Sequence, residues 1–398
     1  MATCVVLVGV LVVHRVRHGA ILPPWPVTSP GPSVLGASDD RGDPFPVPQI
    51  VTPSASPVRI REATDADAAR WNAFVNLCAG ANFYQRFEWR TVNAKSLGHR
   101  THFLIAERGD DVVGVFPMVH VKSVLFGHVV SSMPFVNFGG PTAVDDAAEA
   151  ALVEAACAHA DASRCHYLEI RATKQIGALP VSTDKVSMTV PLKADPEEIM
   201  KAFHHKHRQN VKRALKNEIV VKSGGAELLD EFYELMRLSW KDLGTPLYQK
   251  RYFTDLLAAL GDSIRIFVAC AEGKPIATAL NGYHAGTVEG MWAAVHPDHV
   301  KLSPNYVLYW EMIRDSCERG FTSFHLGRST KDSGAVAFKE KWLAEAKQLY
   351  WNYHLVRRKE LPGLNPRNPK FQLAIKTWRK LPLGVLDVIG PRLARAIP

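Results

Sequence analysis

Several common signatures of site chemistry are missing from this sequence. Its six cysteines (Cys4, Cys78, Cys157, Cys165, Cys270 and Cys317) include no CxxC pair, and none has a histidine at zinc-finger distance. That argues against structural zinc and a disulfide framework; the thiols read as small buried hydrophobes in a reducing compartment. No GxSxG elbow, P-loop, HExxH or strand-linked GxGxxG is present, so the serine-hydrolase, NTPase, zinc-protease and dinucleotide templates fail. The apolar run Val5–Val13 falls well short of the ~20 residues a membrane helix needs. Its basic neighbours also follow the run, whereas a secretory signal has them in front. Carboxylates are scarce from Arg357 to Pro398, where Glu360 and Asp387 stand against ten Lys or Arg. Nearly all of the net charge of +9 therefore lies in the tail. Such a tail suits lipid headgroups, phosphates or RNA, and does not choose among them.

The 398 residues suffice for two domains, and 47% hydrophobic with 22% charged residues is ordinary for a soluble globular chain. From Pro23 to Pro57 the chain is rich in Pro, Ser, Gly and Asp without periodicity. Residues 1–57 read as a disordered extension; a start codon set too early or a cleaved signal peptide are the other readings. Beyond it the chain repeats a plan. Phe103-Leu-Ile-Ala-Glu-Arg-Gly109 and Phe267-Val-Ala-Cys-Ala-Glu-Gly273 each open a β-hairpin, with Phe and Gly at matching offsets. Each hairpin is followed by an amphipathic helix and a short strand ending in Arg. The first helix covers about 145–162 and leads into Tyr167-Leu-Glu-Ile-Arg171. The second starts at Ser303-Pro304, with Ser303 as its cap, stops at Gly320, and leads into Phe321–Leu326, Gly327 and Arg328. A duplicated α/β unit with mixed sheets is expected. Its boundaries are 58–193 for the first domain, 194–356 for the second and 357–398 for a basic amphipathic tail, with Pro191–Pro196 as the joint.

Two segments could carry chemistry. In Phe203-His-His-Lys-His-Arg-Gln-Asn-Val-Lys-Arg-Ala-Leu-Lys216, helical spacing stacks Arg208, Lys212 and Lys216. Stacked like charges fit an anionic partner such as phosphate, or simply a solvated basic face. His204, His205 and His207 lack a carboxylate or thiol at ligand spacing, so no metal is expected. The second segment is the loop expected after the last strand, Leu326-Gly-Arg-Ser-Thr330 with Gly334–Lys339. There Arg328 and Ser329 offer donors to an anionic group. Phe338-Lys339 opens an expected helix running to Trp342, from which Lys339 could stabilise an oxyanion. Asn305, Tyr309, Trp310 and Glu311 begin the second-half helix near the same cleft. Phe138-Gly-Gly-Pro141 reads as a turn.

Taken together, several stretches resemble a known family. They include Phe83-Tyr-Gln-Arg-Phe-Glu-Trp-Arg90, Leu97-Gly-His-Arg-Thr-His-Phe103, Lys206-His-Arg-Gln-Asn-Val-Lys212, Leu243-Gly-Thr-Pro246, Phe324-His-Leu-Gly-Arg-Ser329, Phe338-Lys339 and Leu364-Asn-Pro-Arg-Asn-Pro-Lys370. From Val58 onward the chain resembles the FemAB family, in particular FemAB-like proteins associated with the XrtA/PEP-CTERM exosortase and exopolysaccharide system. The resemblance implies two tandem GNAT-like domains, the second BioF2-like, and peptide-bond-forming chemistry. FemAB relatives move an amino acid from aminoacyl-tRNA to an amine of a peptidoglycan precursor. Their catalytic lysine maps onto Lys339, within Phe338-Lys339; their basic junction helix onto Lys206–Lys212; and their helix asparagine onto Asn305. The Gln/Arg-x-x-Gly-x-Gly/Ala loop of ordinary acetyltransferases is absent from both halves, which counts against acetyl-CoA.

The expected function is thus N-acyl or aminoacyl transfer, as a cytoplasmic acyltransferase, to an amine of an envelope or exopolysaccharide precursor. Lys339 would be catalytic, with Arg208, Lys212, Asn305, Arg328, Ser329 and Phe338 binding substrate. The donor would be aminoacyl-tRNA or acyl-CoA, with no cofactor held. Acetylation of a sugar from acyl-CoA and a non-catalytic adaptor for exopolysaccharide assembly are the alternatives. In the tail, Phe371, Ala374, Ile375 and Trp378 form an apolar stripe with basic flanks, able to lie on the inner membrane or to pack on its own domain.

Overall fold

The computed structural model describes residues 57–124, 126–362 and 369–397, so the expected extension 1–57 lies outside the described residues except for Pro57. Strands β1 (Arg59–Glu62), β2 (Arg100–Arg108), β3 (Asp111–Ser123), β4 (Gly127–Ser131), β5 (Thr142–Ala143), β6 (Tyr167–Ala172) and β7 (Val181–Ser182) come first, with helices α1 (Ala68–Leu77), α2 (Glu88–Leu97) and α3 (Asp146–Ala162). Then follow β8 (Lys185–Pro191), α4 (Pro196–Ala202), α5 (His205–Ala214), β9 (Val220–Gly224), α6 (Leu229–Leu243) and α7 (Lys250–Leu260). The chain continues through β10 (Ile264–Ala271), β11 (Lys274–His284), β12 (Thr287–Val295), α8 (Pro304–Glu318), β13 (Ser323–Thr330) and α9 (Gly334–Glu340). It closes with β14 (Glu345–Gln348), β15 (Tyr350–Leu355), α10 (Pro369–Lys380) and α11 (Leu383–Ala394).

Two mixed sheets result, as the repeat predicts. One runs β1-β2-β3-β4-β6-β15-β7, with β5 on β3; the other runs β14-β8-β13-β12-β11-β10-β9. The expected hairpins are β2/β3 and β10/β11, turning at Gly109 (φ +64) and Gly273 (φ +76). In each sheet one pair is parallel, β4/β6 and β12/β13, and α3 or α8 makes the crossover. Asp145 caps α3 by accepting from the Ala148 N–H at 2.8 Å. Apolar side chains on the outer face of each sheet pack under α3 or α8, and the inner faces share one large core with α1, α2, α6 and α7.

Sheet membership does not follow the chain halves. Between β7 and β8 the chain passes from the first sheet to the second, and between β14 and β15 it passes back. At this double crossing the Leu349 N–H donates to the Lys185 carbonyl at 3.0 Å, and Gln348 Nε2 donates to Thr183, Lys185 and Leu349 carbonyls. Each sheet is completed by a strand that sequence order assigns to the other half, so separating them would break both.

Several local expectations need correction. Ser303 does not cap α8: it lies at φ +55 with no side-chain cap bond, and Pro304 begins the helix. Gly327, Arg328 and Ser329 belong to β13, not to a loop, because pairing with β8 carries the strand on past a bulge. Phe338-Lys339 closes a short helix rather than opening one, since α9 begins at Gly334. Lys216 lies beyond the end of α5, which leaves Arg208 and Lys212 of the expected stripe. In the tail, Trp378 is buried, and Ile375 lies so close to Gly244 that a Cβ there would sit 2.5 Å from it. The part of the apolar stripe whose side chains are described therefore packs on the tail's own domain. Among the described residues, no helix is long and apolar enough to cross a membrane.

Candidate functional site

Lys339 sits at the last turn of α9 with only 1% of its surface exposed. Its Nζ donates to the carbonyls of Gly327 at 2.9 Å and Arg328 at 3.2 Å. The bulge in β13 turns these carbonyls toward α9, and Gly327 takes φ +78 there, a conformation that glycine adopts without strain. Burial, then the neighbouring Arg328, push the ammonium pKa down to about 7. With two N–H groups held by carbonyls, the third Nζ position is a lone pair when the amine is neutral and a donor when it is charged.

Arg328 is buried as well. It donates to the carbonyls of Val136 (2.5 Å) and Asn137 (3.2 Å), and stands over the Trp351 ring at 5.3 Å. Burial, then Arg171, lower its pKa to about 9. Arg171 comes from β6 in the other sheet and stands over the same ring at 4.6 Å. Arg171 and Arg328 stand at matching places near the ends of β6 and β13, so duplicated positions meet on one indole. Arg171 is paired, donating to Glu169 Oε1 at 2.6 Å, and Glu169 also accepts from Ser131 and Tyr353. Arg328 makes no ion pair among the described residues. Lys185, bonded to Thr330 at 2.7 Å, adds a cation whose pKa burial and then Arg328 lower to about 8. Arg328 thus has Arg171, Lys185 and Lys339 as cationic neighbours, while the buried carboxylates nearby are Glu169, bonded to Arg171, and Glu289, bonded to His325. A buried excess of positive charge is held only at a cost in desolvation, and an anionic group that displaced water there would relieve it.

Next to this group the His325 and Glu289 side chains bond at 2.6 Å on adjacent strands, and His325 Nε2 has no partner. Tyr84 accepts from Asn137 Nδ2 at 2.8 Å; burial, then the Glu289 carboxylate, hold its hydroxyl pKa well above the usual range. Asn137 Oδ1 in turn accepts from the Arg328 backbone N–H at 3.4 Å.

The expected site residues divide into two groups. Lys339, Arg328 and Ser329 come together, and the buried Ser329 Oγ has no partner. Phe338 is edge-on to Tyr309, whose ring stacks on Trp342; Trp342 in turn contacts His207 of α5. Asn305, at the start of α8, is 2% exposed with its Nδ2 unpartnered. Arg208 and Lys212 stand apart on α5: Arg208 donates to the Lys201 carbonyl and Lys212 is exposed. No described group of His, Cys, Asp or Glu could hold a metal. Phe138–Pro141 is not a turn but an irregular stretch whose Gly139 N–H bonds the Arg171 carbonyl. The sequence reading missed Glu169, Arg171, Lys185, Glu289 and His325. Strand-end Arg in both repeats was the available signal, and Glu169 stands two residues before the first of these arginines.

Known proteins share the fold that holds these residues. Residues 201–340 match the family described as acetyltransferase (GNAT) domain. The fold is similar to the crystal structure of FemX (16% identity, 75% of this chain and 98% of that one, TM-score 0.60). It is also similar to the C-terminal domain of a protein assigned as a lysylphosphatidylglycerol synthetase from Agrobacterium fabrum (13% identity, 78% and 96%, TM-score 0.51). A conserved protein of unknown function from Bacteroides thetaiotaomicron matches similarly (11%, 75% and 99%, TM-score 0.51). A search of curated proteins found no match. The match to the acetyltransferase (GNAT) family over residues 201–340 supports an acyltransferase.

Proposed function

We propose that the chain transfers an acyl group, in the leading reading an aminoacyl group, to an amine on an anionic envelope or exopolysaccharide precursor. The observation that carries the reading is the buried cation group of Lys339, Arg328 and Arg171, in which Arg171 is paired with Glu169 and Arg328 has no ion pair among the described residues. In the proposed reaction the amine nitrogen attacks the carbonyl carbon of an activated ester. The C–N bond forms and the C–O bond breaks, the nitrogen loses a proton and the leaving hydroxyl gains one. Charged Lys339 directs its third N–H at the oxyanion that develops, while Arg328 and Ser329 hold an anionic group of the substrate. Phe338 and Asn305 shape the donor side. Arg208 and Lys212, set apart on α5, fit the phosphates of a long donor such as aminoacyl-tRNA.

The alternative donor is acyl-CoA, which GNAT domains typically use. The start of α8 speaks against it, because Pro304 lacks an N–H and the Tyr306 N–H is taken by the Ser303 carbonyl. Peripheral membrane contact belongs to the same proposal. It would use the outward Leu373, Val385 and Val388 with Lys376 and Lys380, and flotation with phosphatidylglycerol vesicles tests it.

The function is tested by mass spectrometry of muropeptides and exopolysaccharide from wild type, a deletion strain and that strain complemented with Lys339→Met. Loss of one acyl or aminoacyl group in both altered strains is expected. An altered export phenotype in the deletion alone would replace the enzyme reading with an adaptor.

A further inference from the structure

On the α8 side of the second sheet, one buried polar group has nothing to bind. Asn281 on β11 is 1% exposed, yet neither its amide nitrogen nor its amide oxygen has a hydrogen-bond partner. Each unpaired atom costs about 1–3 kcal/mol. Asn281 lines a narrow cleft, open to solvent, whose enclosed space of about 10 Å³ is the room of one water or one small polar group, walled by Gly290, Tyr309, Met312, Phe324 and Leu326. The cleft begins where the strands of the parallel pair part, beyond the Glu289–His325 pairing. It adjoins Lys339: a Cβ on Gly327 would lie 3.5 Å from the Gly290 carbonyl and 3.7 Å from Lys339 Nζ. On the far wall, Tyr309 meets Phe338 edge-on at 5.7 Å.

No charged side chain lines this cleft, and its other walls are apolar or aromatic. A methyl group entering it would leave both Asn281 atoms unpaired. An ammonium would satisfy Oδ1 alone. A hydroxyl or a carboxamide both donates and accepts, and so satisfies Oδ1 and Nδ2 together. We propose that this cleft receives the side chain of the transferred acyl group, and that Asn281 selects for a hydroxyl or carboxamide on it. Asn281 is then a specificity-determining residue. The inference rests on the acyl-transfer reading above and adds the class of group transferred.

The experiment is calorimetric titration of the full chain with three stable donor analogues, 3′-deoxy-3′-aminoadenosine carrying L-seryl, L-asparaginyl or L-alanyl in amide linkage. Wild type is expected to bind at least one of the two polar analogues about tenfold or more tighter than the alanyl one, because a site built to bond a polar group rejects the analogue lacking it. Asn281→Leu, close in volume, is expected to lose that preference without a fall in melting temperature. Equal affinities in wild type would overturn the inference, leave acyl transfer standing, and assign Asn281 to a structural water. Binding of none of the analogues would overturn the aminoacyl reading and this inference with it. A preference that persists in Asn281→Leu would place selection elsewhere and also overturn it.

Discussion

The two sheets share a plan and differ in what fills the gap where their parallel strands part. In the first, the chain beyond β4 runs on beside β6. The Ser132 N–H bonds the Glu169 carbonyl at 2.9 Å, the Arg171 N–H bonds Ser132 Oγ at 2.8 Å, and the Gly139 N–H bonds the Arg171 carbonyl at 3.1 Å. In the second, the strands part after Glu289–His325, Asn137 reaches across from the other half, and the Asn281 cleft stays open. One copy of the repeat has closed its own gap and become a wall; the other has kept a cleft. The equivalent arginines record the same divergence, since Arg171 has a carboxylate partner and Arg328 has none.

The largest expected effect tests that contrast directly. Arg171→Met strands Glu169 in the interior with only Ser131 and Tyr353 as partners, and should cost about 3–5 kcal/mol in denaturant unfolding. Arg328→Met removes an unpaired buried cation and should be neutral or stabilising while binding of the anionic substrate falls. Equal destabilisation by the two would end the distinction between wall and cleft.

Lys339→Met comes next. The loss of one preorganised donor to an oxyanion lowers turnover by about 10²–10³-fold, and stability should hold because the lost group is a desolvated amine. Because the pKa of Lys339 is lowered to about 7, the charged form is depleted above neutral pH. Turnover should therefore decline above about pH 7, and that decline should be missing from the residual activity of Lys339→Met. A wild-type rate that climbs through pH 7 would make the neutral amine the working form.

The third effect lies in the first half, away from the site. His120 bonds His128 and His159 through its two ring nitrogens, both at 2.9 Å, and His159 stacks on His102. Burial and then the neighbouring histidines lower His120 to about 3 and His159 to about 4. The unfolded chain binds these protons near pH 6.5 and the folded chain does not, so stability is full above about 6.5 and is lost as pH falls toward 4. Each such imidazole allows up to about 1.4 kcal/mol of loss per pH unit. His120→Gln should flatten the dependence of melting temperature on pH below 6.5, and an unchanged slope would sink the account.

Much of this was legible in the chain. Matching Phe and Gly offsets located both hairpins, and alternation with an Arg ending located β6 and β13. These signals are local, set by turn geometry and side-chain period. The exchange of β8 and β15 was not legible, because nothing in a strand's own pattern says which of two similar sheets it joins. For the same reason the candidate site was read from one side only. Lys339, Arg328 and Ser329 lie within one stretch of sequence, whereas Glu169, Arg171 and Trp351 reach them through tertiary pairing. The cap expected at Ser303 failed because a backbone demand overrode the usual residue preference: Ser303 takes a left-handed conformation before Pro304 and makes no side-chain bond to the helix.

The smallest effect concerns the tail, and asks whether it belongs to the second half or stands free. Arg237 of α6 grips Asp387 of α11 through two bonds, at 2.9 and 2.6 Å, beside the buried Trp378 and Leu386. Asp387 is partly exposed, so the pair should contribute only about 0.2–1 kcal/mol, and less at high salt. Asp387→Asn should thus lower the melting temperature slightly and leave the tail protected from limited proteolysis, because Trp378, Leu386 and Ile375 hold it by burial. If that single change frees the tail for cleavage, the apolar contacts are too weak to hold it. The stripe would then be available to a membrane, and the tail would stand free of the second half.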